Sequence, residues 1–337
     1  MDRIAIIRLS SLGDIVHALP AFQALRTRFP DAHITWIAEP AGAALLGNFP
    51  GIDQVLVLDL KSRPGLAARV LCLVRFIRRW RGQFDLLFDF QGLIKSALLA
   101  FLLGGVRLGF GRGNTRETPA TLFYSRRASR FPEERHVIHK NLHLLSLVGI
   151  AAAAVEYPRR EWAPSPRLAE ILDQEGLGRD GWIILNVGGG WPSKLLSEAQ
   201  WLQVARGLEG RRPLVLLWGN EKEKAAAEAV ARQSRARVAP FMEFSDLIFF
   251  IARARLVVSG DTLALHLADM VHTPAVGVFG PSSPERNGPL LPGSRIVHRQ
   301  LACSSCYRRQ CDTMVCLRDI AIEDVIEAAR KIDAQRD

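Results

Sequence analysis

Short apolar runs alternate with amphipathic stretches along the first 160 residues. Apolar runs of five to seven residues predict buried strands at Arg3–Leu9, His33–Ala38, Gln54–Leu58 and Phe84–Phe90. Between these runs, apolar residues at helical spacing predict helices over 15–28 and 65–80. Strands that alternate with helices are typical of βαβ units, so this half of the chain predicts an α/β fold with a parallel sheet.

A break rich in proline separates this half from a second one. The sequence runs through Ala151–Val155 and then has prolines at 158, 164 and 166. Strand-like runs then resume at Trp182–Val187, Pro213–Trp218, Arg255–Ser259 and Pro274–Phe279. We predict two α/β domains, 1–160 and 161–320, followed by a C-terminal segment 321–337 with a helix at Glu323–Ile332. Open α/β sheets bind ligands at the carboxyl ends of their strands, so we expect a ligand site in the cleft between the domains.

Composition and charge restrict the class of partner. The chain has 337 residues, of which 48% are hydrophobic and 23% charged, which excludes a disordered or collagen-like protein. Residues 1–160 contain 22 Lys/Arg against 12 Asp/Glu, whereas residues 161–337 contain 22 of each. The net charge of +10 therefore lies in the first half. That excess predicts an anionic partner: nucleic acid, a membrane surface or an acidic substrate.

Two basic tracts carry this excess, 61–81 and 107–140. The first contains no acidic residue, and Leu66, Val70, Val74 and Ile77 recur within it at helical spacing. Basic amphipathic helices bind anionic membrane surfaces or phosphate groups, and a solvated charged face is the alternative.

The sequence shows no export signal. Its opening apolar run is short and flanked by Arg3 and Arg8, and the longest apolar stretch, 86–106, is interrupted by Asp89 and Lys95. Five cysteines without an export signal are typical of reduced thiols. We expect a cytoplasmic protein that can rest on a membrane surface.

The loop after the first predicted strand carries the first candidate chemistry. It reads Ser10-Ser11-Leu12-Gly13-Asp14 and opens a helix. Gly13 permits a tight turn there, and the carboxylate of Asp14 reaches the ligand side of the sheet. An ordinary helix N-cap is the alternative interpretation of Asp14.

Three loops of the second half are rich in Gly, Ser and Thr. The first contains Gly188, Gly189 and Gly190 followed by Lys194, the second contains Asp261 and Thr262 with His266 one turn on, and the third spans 277–284. Backbone amides of such loops, a lysine and a helix N-terminus together bind phosphate groups, so we predict a pocket for a nucleotide diphosphate. The loops match neither a Walker A motif nor GxGxxG, and a simple turn and a structural histidine remain alternatives.

The sequence contains no Asp-x-Asp, a motif that often holds a divalent metal on a nucleotide diphosphate. We therefore expect fixed donors, rather than a bound metal, to meet the charge on a bound diphosphate: Lys194, the loop amides and the Thr262 helix N-terminus. A separate segment has four thiols, Cys303, Cys306, Cys311 and Cys316. A structural zinc or iron–sulfur site, free thiols and a redox-sensitive pair are the open interpretations of it.

Six ordered stretches resemble the lipopolysaccharide heptosyltransferases of inverting glycosyltransferase family 9, in particular their type I members. They are SSLGDIVHALPA at 10–21, DFQGLIKSALL at 89–99, TRETPATLFYSRR at 115–127, WPSKLLSEAQW at 191–201, LLWGNEKEK at 216–224 and SGDTLALHLADMVHTPAVGVFGPSSP at 259–284. The resemblance covers nearly the whole chain. It implies a GT-B fold, in which two Rossmann-like domains with parallel sheets face each other and the final helix returns to the first.

The same resemblance implies an activity and roles for residues. The first domain is expected to bind a Kdo sugar on lipid A as acceptor and the second to bind ADP-heptose, with no cofactor required and transfer with inversion. Asp14 matches the general base and Lys194 the diphosphate-binding lysine. The remaining donor contacts are expected at Gly189, Gly190, Glu223, Met242, Asp261, Thr262 and His266. Acceptor contacts are expected at Ser10, Ser11, Gly13, Lys61, Arg63 and Arg116.

The chain departs from the family pattern in two places. Leu263 stands where the family usually has glycine, and Gly189 and Gly190 stand where it often has hydroxyl side chains.

Partners and location follow from these expectations. We expect ADP-heptose, Kdo–lipid A and the anionic cytoplasmic face of the inner membrane as partners, and no nucleic acid. The alternatives are a sibling transferase of the family, such as one similar to heptosyltransferase II or one with another sugar donor, and more distantly a basic nucleic-acid-binding protein, although no RNA- or DNA-binding motif is present.

Overall fold

The computed structural model describes residues 2–150, 154–178, 181–210 and 212–336. Residues 151–153 of the predicted linker lie outside the described part. The chain divides into two compact units, Met1–Arg160 and Glu161–Asp337.

The described residues of the first unit form six strands and six α-helices. The strands are β1 (Arg3–Ile7), β2 (His33–Ala38), β3 (Gln54–Val57), β4 (Leu86–Asp89), β5 (Val106–Phe110) and β6 (Arg126–Ala128). The helices are α1 (Leu12–Val16), α2 (Leu19–Arg28), α3 (Pro40–Leu46), α4 (Gly65–Trp80), α5 (Ile94–Leu103) and α6 (Val137–Leu144). The strands form one parallel sheet in the order β3-β2-β1-β4-β5-β6.

The second unit repeats this plan. Its strands are β7 (Ile183–Asn186), β8 (Leu214–Leu217), β9 (Arg237–Val238), β10 (Leu256–Gly260), β11 (Ala275–Phe279) and β12 (Arg295–His298). Its helices are α7 (Pro166–Gln174), α8 (Glu198–Leu208), α9 (Glu221–Ala231), α10 (Phe244–Ala252), α11 (Leu263–Met270), α12 (Pro284–Asn287), α13 (Val315–Arg318) and α14 (Ile322–Ala334). The sheet is again parallel, in the order β12-β11-β10-β7-β8-β9.

Both sheets have the strand order of a Rossmann fold, which reverses direction beside the first strand of each unit. The reversal lies between β1 and β4 in the first unit and between β7 and β10 in the second. Since the loops at such a point diverge and leave a crevice, the carboxyl ends of these four strands are where a ligand is expected in each unit. The predicted α/β fold with parallel sheets is confirmed.

Buried apolar strands hold each sheet between its helices. Four of the five residues of β1 and all residues of β10 and β11 are buried, because a parallel sheet is covered on both faces. No helix in the part of the chain that the structure describes is long and apolar enough to span a membrane.

The last helix packs in the second unit. The apolar face of α14 contributes Ile322, Val325, Ala329 and Ile332 to the core of that unit, against α8 and strands β10 and β11. Its expected return to the first domain stays a prediction.

The helix predicted over 15–28 is wrong in its continuity, because the structure divides that stretch into α1 and α2. Pro20 lies in the first turn of α2, where its missing N–H costs no hydrogen bond, whereas inside one long helix it would break the ladder. The apolar pattern does not predict four of the observed strands, β5, β6, β9 and β12. Three of them, β6, β9 and β12, are edge strands, and each begins with an exposed arginine rather than with a continuous apolar run.

Candidate active site

A buried ion pair lies at the carboxyl end of β1. Arg8 directly follows this strand, and its Nη2 lies 2.7 Å from Oδ2 of Asp14, with 6% and 18% of the two side chains exposed. The Arg8 Nη1 group donates to the carbonyl of Phe90, beyond β4. The pair therefore lies between the loops that follow β1 and β4, at the reversal point of the first sheet.

The helix α1 orients Asp14 through its own N-terminus. Ser11 is the N-cap and Asp14 stands at the third helical position, where it closes a capping box. The Oγ of Ser11 donates to Oδ2 of Asp14 at 2.9 Å, and the Ser11 backbone N–H donates to the same oxygen at 3.3 Å. Asp14 thus serves the helix N-terminus without being the cap residue itself.

Two arginines set the charge state of Asp14. Burial alone would raise the pKa of this carboxyl group, but Arg8 and Arg116 outweigh that effect and hold the pKa well below its ordinary value. The Nη2 of Arg116 lies 3.2 Å from Oδ2 and 3.3 Å from Oδ1. Because about half of the Arg116 side chain is exposed, one of the two cations on Asp14 is accessible from solvent.

Hydrogen bonds to Asp89 join the end of β4 to α5 and to Tyr124. Its carboxylate accepts from Ser96 Oγ at 2.8 Å and from Tyr124 Oη at 2.7 Å, as well as from two backbone N–H groups. Burial raises the pKa of Asp89, and these donors oppose the shift. Nearby, Gln91 Oε1 accepts from the backbone of Leu9 at 2.8 Å, which ties the β1 loop to the β4 loop.

The structure brings only part of the predicted acceptor set to Asp14. Ser11 and Arg116 contact it, Ser10 lies in the loop before α1, and Gly13 lies in the first turn of α1. Lys61 instead forms an ion pair with Glu39, at 2.6 Å between Nζ and Oε2. Arg63 is exposed just before α4 and makes no contact with Asp14 among the described residues.

In the second unit, Lys194 and Asp261 form a nearly buried ion pair. The Nζ of Lys194 lies 2.5 Å from Oδ2 of Asp261, and 14% and 4% of the two side chains are exposed. His266 Nε2 lies 3.2 Å from Oδ1, and Asn287 Nδ2 donates to Oδ2 at 3.2 Å. Burial would raise the pKa of Asp261, but its hydrogen bond with His266 and the charge of Lys194 hold it well below the ordinary value.

Glu223 accepts hydrogen bonds that hold the glycine loop after β7 in place. Its Oε1 accepts from the backbone of Gly189 at 3.1 Å and its Oε2 from that of Gly219 at 2.7 Å. A Cβ atom at Gly188 would lie 2.2 Å from Oε2 of this glutamate, whereas a Cβ at Gly190 would meet no atom within 4 Å. The loop therefore needs glycine at 188 for this contact and leaves open space at 190.

A polar network joins the loops after β7 and β10. The amide of Asn186 donates to Thr262 Oγ1 at 2.9 Å and to Ser259 Oγ at 3.0 Å. Thr262 is the N-cap of α11, but its side chain does not accept from the backbone of that helix. The side chain that would cap α11 is thus engaged with the sheet, and the first amides of this helix can receive an anion beside Lys194.

The cysteine-rich segment borders the Lys194–Asp261 pair. Lys194 Nζ lies 4.3 Å from the ring centroid of Trp191, and the guanidinium of Arg309 lies 5.3 Å from the same centroid. Ser193 Oγ donates to the carbonyl of Arg308 at 2.6 Å. Met242 is half-buried in the loop between β9 and α10 and has no hydrogen bond or ion pair with these groups in the described part of the chain.

The possible structural zinc site is not formed by the four cysteines. Cys303 and Cys306 are exposed, Cys311 and Cys316 are partly buried, and all four are free thiols. The Sγ of Cys311 accepts from the backbone of Met314 at 3.4 Å. The hydrogen bond with the Thr313 side chain, together with this one, lowers the pKa of the thiol. Within the described ranges, no three His, Cys, Asp or Glu side chains are arranged to hold a metal ion.

Two partners of the carboxylates Asp14 and Asp261 were not identified from sequence motifs. Arg8, which pairs with Asp14, counted only as a charge that flanks a short apolar run, and Asn287, which donates to Asp261, was not singled out. A charged residue directly after a buried strand, ahead of a glycine-containing loop, is the signal that could have found Arg8. Its partner Phe90 lies 82 residues further along the chain, so the contact itself depends on the sheet order.

Most of this chain is similar in sequence to known proteins. Residues 73–316 match glycosyltransferase family 9 (heptosyltransferase). Lipopolysaccharide heptosyltransferase 1 of Pseudomonas aeruginosa is 28% identical over 92% of this chain and 87% of its own, and that of Salmonella typhimurium is 26% identical over 84% and 89%.

Solved structures share the fold. The structure of E. coli heptosyltransferase WaaC with ADP has a TM-score of 0.75 at 22% identity and covers 98% of this chain and 99% of that one. The glycosyl transferase family 9 structure from Veillonella parvula has a TM-score of 0.80 at 22% identity, over 99% and 97%. The predicted GT-B fold and the family resemblance are both confirmed. The family match covers more than half of the residues of this chain, and the chain therefore belongs to glycosyltransferase family 9 (heptosyltransferase).

Proposed function

We propose that this enzyme transfers a heptose from ADP-L-glycero-D-manno-heptose to a Kdo residue of Kdo–lipid A, in the assembly of the lipopolysaccharide inner core. The observation that carries the proposal is the pair of charged centres at the two sheet-reversal points. An ionised carboxylate, Asp14, lies in one unit, and a cation, Lys194, held by Asp261 beside the N-terminus of α11, lies in the other. The names of the relatives from P. aeruginosa and S. typhimurium support the choice of donor and product.

The donor half suits a nucleotide diphosphate without needing a metal. Lys194, the amide of Gly190 and the N-terminus of α11 supply one cation and several N–H donors, whereas the amide of Gly189 is held by Glu223. Such fixed donors stabilise the negative charge that develops on a departing ADP. Asp261, His266 and Asn287 hold the lysine in position, and Glu223 holds the loop. Met242 is proposed to contact the donor from the loop after β9. No cofactor enters the proposed reaction.

Asp14 is proposed as the general base. It takes the proton from the attacking Kdo hydroxyl while that oxygen forms the bond to the anomeric carbon and ADP leaves from the opposite face, which inverts the configuration. Arg8 and Arg116 keep the carboxylate ionised but also lower its basicity. An anionic acceptor that draws the half-exposed Arg116 toward itself would restore part of that basicity.

The excess positive charge of the first unit suits an acceptor that bears carboxylate and phosphate groups. Ser10, Ser11, Gly13, Lys61, Arg63 and Arg116 are proposed to contact it. Such an acceptor is anchored in lipid, so the enzyme is proposed to work at the cytoplasmic face of the inner membrane as a peripheral protein, and nucleic acid is not among its partners.

A panel of nucleotide sugars tests the proposal. The purified enzyme is incubated with Kdo–lipid A and with each of several ADP-, UDP- and GDP-linked sugars, and the products are measured by intact-mass spectrometry. We expect a product heavier by one heptose with ADP-heptose alone. Transfer only from another donor, or only to an acceptor that already carries a heptose, would assign the enzyme to a sibling activity such as that of heptosyltransferase II.

A further inference from the structure

Helix α4 presents an apolar row to solvent. Leu66, Val70 and Val74 stand four residues apart on one side of the helix and are 78%, 50% and 43% exposed. The whole of α4 is described, and none of its side chains is fully buried. Its inner side rests on the core through Leu73, Phe76, Ile77 and Trp80. The outer row is therefore apolar surface that no part of the described chain covers.

The apolar surface extends onto the neighbouring elements. Helix α5 lies beside α4 and exposes Ile94, Leu98 and Phe101 on one face, and α5 in turn contacts the turn that carries the exposed Leu122. Ten of the thirteen exposed large hydrophobic residues among those described lie in the first unit. Monomeric proteins rarely leave so much apolar surface in one region without a binding role. We call the outer faces of α4 and α5 together with Leu122 the α4–α5 surface.

Arginines flank the row on α4. Arg78 follows Val74 by one turn and Arg75 follows Leu71 by one turn, so both cations lie next to exposed apolar side chains. Arg75, Arg78, Arg79 and Arg81 are exposed, and no acidic residue in the described ranges forms an ion pair with them. The edge of the surface thus carries uncompensated positive charge.

We propose that the α4–α5 surface docks on an anionic lipid bilayer. A bilayer supplies negative headgroups for the arginines and an apolar layer for Leu66, Val70 and Val74 at the same time. A second copy of the chain would bring arginines against arginines, and nucleic acid would pair the arginines but leave the apolar row in water. This inference identifies the surface by which the enzyme would bind the membrane as a peripheral protein. It rests on the proposed function only in naming the inner membrane as the biological bilayer.

Vesicle binding tests the proposal. The full-length enzyme is mixed with vesicles of phosphatidylcholine containing 30% phosphatidylglycerol, or of phosphatidylcholine alone, and the bound fraction is measured by flotation. We expect binding to the anionic vesicles only. The variant R75Q/R78Q/R79Q should lower the partition coefficient on the order of a hundredfold, since each cation near such a surface contributes roughly fivefold. The variant L66Q/V70Q/V74Q should lower it at least about tenfold at unchanged charge.

Matched variants of the second unit control for total charge and for surface polarity. R232Q/R253Q/R295Q removes the same number of exposed arginines. I296Q replaces an apolar residue that is 44% exposed, an exposed fraction similar to the 43% of Val74. Both controls should bind vesicles like the wild type. Wild-type binding by the two α4 variants, or equal loss in the controls, would overturn the proposal. Self-association or nucleic-acid binding that depends on the α4 row, with no vesicle binding, would also overturn it.

The assay separates this inference from the proposed function. The vesicles contain no glycolipid acceptor, so binding does not depend on the reaction. With a soluble, delipidated Kdo acceptor, the α4 variants should keep wild-type turnover. If the wild type transfers no heptose while its vesicle binding depends on the α4 arginines, the proposed function is wrong and the docking surface is supported.

Discussion

The guanidinium of Arg8 and the carboxylate of Asp14 form a nearly buried ion pair, with 2.7 Å between Nη2 and Oδ2. Breaking such a pair from one side leaves a buried charge that Arg116 compensates only in part, which costs up to about 3–5 kcal/mol of unfolding free energy. We expect that loss for Arg8→Met in urea denaturation, while Arg8→Lys retains the cation and loses less. Equal stability of Arg8→Met and the wild type would show that the pair has no structural role.

Asp14 should also make stability depend on pH. Its pKa in the folded protein lies below the ordinary value of 3.8, so the ionised carboxylate stabilises the fold above that pH and the contribution is lost as the pH falls through the folded pKa. We expect the unfolding free energy of the wild type to fall more steeply between about pH 5 and pH 3 than that of Asp14→Asn. Parallel pH profiles would contradict the depressed pKa.

The glycine loop offers a matched pair of substitutions. In Gly188→Ala the new methyl group would meet Glu223 Oε2 at 2.2 Å and would displace the glutamate from the Gly189 and Gly219 amides, whereas Gly190→Ala has open space. We expect ADP affinity, measured by isothermal titration calorimetry, to fall about tenfold or more for Gly188→Ala, as loss of a charge-assisted hydrogen bond implies. Gly190→Ala should stay within about threefold of the wild type. Similar affinities for the two variants would exclude this role of Glu223.

Lys194 should matter for binding of the diphosphate. A charge-assisted hydrogen bond contributes about 1.5–3 kcal/mol, so Lys194→Met should weaken ADP binding on the order of 10- to 100-fold. Lys222→Met, an exposed lysine on α9, serves as the control and should bind ADP normally. The affinities of the two variants for adenosine, which lacks phosphate, should differ least. Unchanged ADP affinity in Lys194→Met would remove the lysine from the donor site.

Metal dependence gives a further prediction. Since Lys194 and the loop amides are proposed to meet the leaving-group charge, heptosyl transfer should continue at its full rate in excess EDTA. Strict dependence on an added divalent cation would contradict this arrangement of the donor site.

Much of the central fold could be predicted from apolar runs, and the outer parts could not. Strand β2 and helix α4 were predicted with their observed bounds, because a buried run and a helical spacing are local signals. Strand β6 has three residues and two of them are exposed, so its pairing with β5 stabilises it rather than its own pattern. The break after α1 depends on Pro20, which the longer helical pattern concealed.

The site likewise has parts that local sequence signals predict and parts that they do not. The loops of Asp14, Lys194 and Asp261 could be located because each follows a buried strand and contains glycine or a helix start. The environment of Asp14 could not, since Arg8, Phe90 and Arg116 meet only when the sheet orders β1 beside β4. The same holds for Asn186 and Thr262, which lie 76 residues apart and form a hydrogen bond across neighbouring strands. Clustering of thiols in sequence was misleading, because four nearby cysteines do not by themselves converge on a metal.

The turnover of Asp14→Asn with ADP-heptose and Kdo–lipid A tests the central claim most directly. The substitution keeps the shape of the side chain but removes the base, so we expect kcat to fall roughly 10²- to 10⁴-fold while calorimetric ADP affinity stays at the wild-type value. Near-wild-type turnover of Asp14→Asn would contradict the proposed role of this carboxylate.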